Sequence, residues 1–170
     1  MSTRSFIIVK VRKEDIGKTM KFNEGLLPKP LDNWQEKDRE GKVWRDETGQ
    51  NLCQPVEIKD QFIGVYCHWD GYPDGGVGDE LKTHFKDYNS VLNLILGGSC
   101  SAINNGVVRH YANRQGEEWK HLVPSQRKSQ TELARVGRNS WAEYAYVFDE
   151  ATGWKYANLC NKTIRFKAMK

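Results

Sequence analysis

Residues 62–96, FIGVYCHWDGYPDGGVGDELKTHFKDYNSVLNLIL, change from a period of two to a period near 3.6 across one glycine-rich loop. The first part, residues 62–69, is rich in β-branched and aromatic side chains and is expected to be a strand. Alternation puts Phe62, Gly64, Tyr66 and His68 on one face and Ile63, Val65, Cys67 and Trp69 on the other. Residues 70–78, DGYPDGGVG, hold four glycines and a proline, the composition of a tight irregular loop. Two helices are expected beyond it. One covers about 78–85, with Asp79 and Glu80 in its first turn, where the helix dipole favours acids. The other covers about 88–96, with Asp87 as N-cap, Gly97 after its last turn, and Val91, Leu92, Ile95 and Leu96 forming an apolar stripe.

Working outward, residues 6–11 (FIIVKV) read as a buried strand. A strand over 104–111, a short helix over 125–136, a hairpin over 141–159 turning at 149–153, and an edge strand over 164–168 complete the elements. Residues 14–60 differ in character, being charged, weakly periodic and containing Pro28, Pro30 and Pro55, with a hairpin expected around 46–49. They read as an insertion or irregular subdomain within a single domain spanning 1–170. The fold class expected is therefore α+β: a mainly antiparallel β-sheet with two or three helices packed on one face, plus an irregular N-terminal insertion.

A chain of 170 residues supports one core without metal or disulfide. No run of 18 apolar residues suggests a membrane helix, and the apolar patch near the N-terminus is too short for a signal peptide. Cys53, Cys67, Cys100 and Cys160 contain no CxxC pair and read as free, mostly buried thiols of a reducing compartment. The net charge of +4 is concentrated between Arg109 and Arg138, where seven basic residues face three acidic ones. Five of those cations are arginines, whose planar fork suits phosphate or carboxylate. So small a surplus fits a few phosphates better than a long nucleic acid.

The densest chemistry lies at Tyr66–Cys67–His68–Trp69–Asp70–Gly71–Tyr72–Pro73–Asp74, where the strand breaks into the loop. Trp69 or Tyr72 could stack a nucleobase while Tyr66, His68 and Asp70 line its edge, and Arg4, Arg109 and Arg114 could hold phosphate. Turn chemistry alone also accounts for the Asp, Gly and Pro. Catalytic signatures are missing: Cys67 and His68 face opposite ways on a strand, and no GxSxG, P-loop or GxGxxG order is present. His68, Asp70, His84, His110 and His121 lack HxH or HExxH spacing, so no metal and no cofactor is expected.

The MSTRS opening, the YCHWDGYP octet, a following VG and the Gly153–Trp154–Lys155–Tyr156 return resemble a family of small bacteriophage and prophage proteins. The resemblance covers about 100 of the 170 residues. Members pass from the first strand to the motif through a short turn, whereas this chain inserts about 45 residues and adds a glycine in Asp74–Gly75–Gly76–Val77. The resemblance implies a phage origin and a host-cytoplasmic setting, and no chemistry. The reading that joins it to the residues is a non-catalytic protein that sequesters a small anionic, nucleotide-type signalling molecule to counter host defence, assembled as a homo-oligomer. Two alternatives stand beside it. One is a protein–protein inhibitor of a host defence or metabolic protein, acting through 14–60 with Trp34 and Trp44 as anchors. The other is a nucleic-acid-binding or nuclease-like protein.

Overall fold

The structure is a computed structural model and describes residues 3–31, 45–114 and 117–170. Trp34 and Trp44 lie outside the described residues.

Ten strands are described: β1 Ser5–Lys10, β2 Thr19–Met20, β3 Val56–Glu57, β4 Phe62–Cys67, β5 Cys100–Asn104, β6 Val107–His110, β7 Ser125–Arg127, β8 Tyr144–Asp149, β9 Gly153–Asn158 and β10 Lys167–Ala168. The helices are α1 Val77–His84, α2 Tyr88–Leu96, the single turn α3 Tyr111–Arg114, and α4 Gln130–Asn139. The main sheet runs β10-β9-β8-β1-β4-β5-β6, with β7 pairing β4 as well, while β2 and β3 form a separate small ladder. It is mainly antiparallel but mixed, because β1 runs parallel to β8 and β4 parallel to β5. The protein is thus α+β, as its sequence indicates.

β1 is the centre of the molecule, and its residues 6–9 are continuously apolar rather than alternating, so both of its faces need cover. Ile7 and Val9 join Ile63, Val65, Cys67, Tyr146 and Phe148 on one face, where Leu81 and Phe85 following α1, and Val91, Leu92 and Ile95 of α2, complete the core. Phe6 and Ile8 join Phe62, Ala145 and Val147 on the other face, under Leu133 and Ala134 of α4. Two helices therefore occupy one face, and α4 sits on the opposite one. Its approach is close: a Cβ on Gly137 would stand 2.7 Å from the Phe6 Cβ. Each fully buried Val, Leu or Ile contributes about 1.5–3 kcal/mol, so the two clusters dominate stability.

Local chemistry sets the helix ends. The Asp87 carboxylate accepts from Ser90 N at 2.8 Å and caps α2. Gly97 keeps a right-handed φ of −73°, and it is Gly98, at φ +81°, that takes the left-handed position. The Ser129 hydroxyl accepts from Glu132 N at 3.1 Å and starts α4 at residue 130, inside the stretch expected to be helical from 125. Residues 125–127 form β7 instead.

The described parts of 14–60 pack onto the main core. Phe22, Cys53, Val56 and Ile58 are buried in the cluster under α1 and α2. The Asn93 side chain on α2 accepts from Asn23 N and donates to Asn23 O, both at 2.9 Å, which fixes that segment to the helix. The turn at 46–49 is present, with the Asp46 carboxylate accepting from Thr48 N and Gln50 N at 2.9 Å. Among the described residues no helix is long and apolar enough to cross a membrane.

Candidate functional site

The glycines of the motif are explained by close packing. Strand pairing continues past β4, with His68 N donating to Cys100 O at 3.1 Å and Trp69 N to Ser101 O at 2.8 Å. Asp70, at φ +54°, then turns the chain, and its carbonyl accepts from Val77 N at 2.7 Å. Gly71 N donates to Thr3 O at 2.7 Å, and the buried Tyr146 hydroxyl donates to Gly71 O at 2.6 Å. A Cβ on Gly76 would come within 2.2 Å of Asp70 O, and one on Gly78 within 2.2 Å of Pro73 O. The loop is thereby clamped between the end of β1 and the first turn of α1, a rigid mount for the side chains beside it.

Arg4, Tyr66 and His68 share the α4 face of the sheet by register, and Trp69 adjoins His68. β1 and β4 pair with Phe6 opposite Tyr66, which sets Arg4 beside the Tyr66–His68 end of β4. The Arg4 charge lies close enough to pull the Tyr66 pKa down. The Tyr66 hydroxyl lies 2.7 Å from His68 Nδ1. The His68 ring meets the Trp69 indole edge-on at 4.7 Å between centroids, and Trp69 remains 47% exposed. Burial raises the Tyr66 hydroxyl pKa, against the pull of Arg4, so it keeps its proton. Burial, then the Arg4 charge, lowers the His68 pKa, so the imidazole is neutral near pH 7. A Tyr66 hydroxyl that donates to Nδ1 leaves the ring's N–H on Nε2. The row thus sets a guanidinium and an imidazole next to a half-exposed indole. Such a surface accepts an electron-rich, flat partner.

Not every residue expected at the site joins it. Arg109 on β6 lies opposite Ala102, and the irregularity between Cys100 and Ala102 turns it toward the same sheet face as Tyr66, two strands away from β4. The side chain of Arg114 lies outside the described residues. Tyr72, in the clamped loop, is 43% exposed. Asp70 acts through its backbone at the turn. Three of the described cations in 109 to 138 are engaged elsewhere. Arg138 donates to Leu159 O at 3.0 Å and Asn161 O at 2.9 Å, Arg127 donates to Gln126 O at 2.7 Å, and Lys120 pairs with Glu118 at 2.9 Å. Arg4, whose charge acts on both Tyr66 and His68, comes from outside that stretch.

Three features escaped the sequence reading. Glu143 lies beside Arg4 across the β1–β8 pair, with Glu143 N donating to Arg4 O at 2.8 Å. Trp141, just before it, is 79% exposed. A third is a cavity of about 500 Å³ lined by Lys21, Phe22, Asn23, Glu24, Arg45 and Asn51, among others. Its arginine is already neutralised, because Arg45 forms a two-pronged pair with Glu24 that holds the Glu24 carboxyl below its usual range. That pair neutralises Arg45, while Lys21 remains a further cation in the lining.

Three of the four thiols are buried, and Cys160 is exposed. Cys67 and Cys100 are register partners, both buried, and their mutual hydrogen bond and burial keep the Cys100 thiol protonated. Burial pushes the Cys53 thiol up to about 12. Among the described residues no three His, Cys, Asp or Glu side chains gather as a metal site. The chain matches no family model, no curated protein and no solved structure.

Proposed function

We propose that this chain is a non-catalytic binding protein that captures a small anionic, nucleotide-type ligand at the Arg4–Tyr66–His68–Trp69 corner. The observation that carries the proposal is the His68 ring packed edge-on against an exposed indole on a clamped loop, with the Arg4 charge beside it. A base stacks on Trp69 while Arg4 and the His68 N–H take phosphate or carbonyl oxygens. The setting proposed is a phage protein in the host cytoplasm that withdraws a nucleotide signal from host defence, as a homo-oligomer.

Calorimetry with nucleotides, cyclic nucleotides and ADP-ribose derivatives tests this. Arg4→Ala is expected to weaken binding about 10–100-fold, the worth of a hydrogen bond to a charged group. Trp69→Ala is expected to weaken it by roughly 5–150-fold, the worth of one stacked base. Trp69 is exposed, so its variant should melt where the wild type melts. Glu143→Gln, which removes the carboxylate beside Arg4, should tighten anion binding a few-fold. A ligand with one to three phosphates gives a shallow dependence of affinity on salt. A log–log slope of about −6 or steeper would instead mean a long nucleic acid. Silence across the panel from folded protein would remove the proposal.

A further inference from the structure

Trp141 is placed where a tryptophan is unfavourable. Helix α4 ends with Ala142 N donating to Gly137 O at 2.9 Å and Trp141 N to Arg138 O at 3.0 Å. This is the arrangement in which the residue after the helix turns left-handed and is most often glycine. Here that residue is Trp141, at φ +69°. A side chain with a Cβ is disfavoured in this conformation, and burial does not compensate, because the indole is 79% exposed. Folding therefore gains little from an aromatic group at this position.

Its position in the sheet suggests what the indole serves. β8, β1 and β4 are adjacent, and Tyr144, Ser5 and Cys67 lie in one row across them. Trp141 precedes β8, Arg4 precedes β1 and Trp69 follows β4, so all three leave the same end of the sheet. Neighbouring strands are about 4.8 Å apart, which separates the strands carrying the two indoles by about 10 Å, with Arg4 between them. We infer that Trp141 is a second stacking platform, and that the site takes a ligand of two flat rings joined through phosphate, a dinucleotide. The inference rests on the nucleotide reading above and adds to it the ligand's second base.

The experiment compares adenylyl-(3′,5′)-adenosine, which has two bases and one phosphodiester, with AMP, which has one base. The proteins are the full chain and its Trp141→Gly, Trp141→Asn and Trp69→Ala variants. Glycine relieves the left-handed strain, so Trp141→Gly should melt roughly 2–6 °C higher than wild type. The same variant, and Trp141→Asn with it, should bind the dinucleotide about tenfold more weakly, within the range for one lost stack. AMP binding should stay within about twofold, because the Trp69 platform remains. Trp69→Ala should weaken both ligands. Unchanged dinucleotide affinity in both Trp141 variants, with wild type binding both ligands, overturns the second platform and leaves the nucleotide reading intact. An equal loss for AMP and the dinucleotide also overturns it, since both indoles would then serve one base. A wild-type protein that binds neither ligand overturns both readings together.

Discussion

Replacing Gly78 by alanine is expected to lower stability by about 3 kcal/mol and the melting temperature by roughly 6–12 °C. Helix propensity alone argues the other way, since alanine is favoured over glycine by about 1 kcal/mol inside a helix. The geometry decides against propensity. The added Cβ would stand 2.2 Å from Pro73 O and 2.6 Å from Pro73 Cα. Both are backbone atoms of a loop tied to Tyr146, Thr3 and Val77, so neither can move without opening the corner. Thermal melting followed by circular dichroism checks this. An unchanged or higher melting temperature would show that the loop is not clamped onto α1, and the rigid mount for Trp69 and His68 would be lost with it. At Gly75, also in the loop but at φ +76°, a Cβ meets nothing within 4 Å. Alanine there should cost only the left-handed strain, about 1–2 kcal/mol.

Acidification should destabilise the protein by about 3 kcal/mol between pH 6.5 and pH 4, most of it above the pH at which ordinary carboxylates titrate. The group responsible is His110, which is fully buried, packs its ring on Gly97 and meets the edge of Phe22 at 4.9 Å. Its Nε2–H donates to Leu94 O at 2.8 Å, so the ring is seated as the neutral tautomer. Burial holds its pKa at about 4, against about 6.5 in the unfolded chain. The folded value lies below the unfolded one, so the unfolded chain binds the extra proton in this window. Stability is therefore full above pH 6.5 and declines as pH falls to 4. His68 is shifted the same way and adds a smaller part, being closer to water. Urea unfolding at several pH values measures the slope. His110→Gln, which keeps a donor for Leu94 O but does not titrate, should flatten most of it. Equal slopes in the two proteins would show that His110 is not the group that titrates.

Much of the architecture is legible wherever the pattern is local. The two-residue alternation appears in the fold over 62–67, and the Asp87 cap appears as read; neither needs tertiary information. The side on which α4 packs could have been read as well. An uninterrupted FIIV in β1 has no polar face to leave open, so helices on a single side cannot satisfy it. Strand β5 was missed although Asn105–Gly106, at φ +51° and +80°, is the pair that a tight hairpin prefers, and it separates β5 from β6. Ser129 and Glu132 likewise form a capping pair that marks the start of α4.

The candidate site was legible only in part, for a different reason. Tyr66, His68 and Trp69 are neighbours in sequence, and their chemistry shows at once. Arg4 joins them only through the β1–β4 register, which pairs residues about 60 apart. A count of charge along the chain instead favours 109–138, where Arg138 and Arg127 turn out to serve backbone carbonyls. Trp141 carries a signal that composition hides. A large aromatic group directly after a helix, where glycine is usual, reveals itself only once its φ and exposure are known.

The claim that everything functional depends on is that a nucleotide engages Arg4, His68 and Trp69 as one surface. Titrating nitrogen-15-labelled protein with AMP and following its amide and indole N–H resonances tests this most directly. The Trp69 indole N–H and the amides of Arg4, His68 and Trp69 should shift together along a single binding curve. Resonances of Lys21, Asn23 and Asn51 around the insertion cavity should stay still. Shifts confined to that cavity, or a Trp69 signal that moves while Arg4 and His68 do not, would contradict the account.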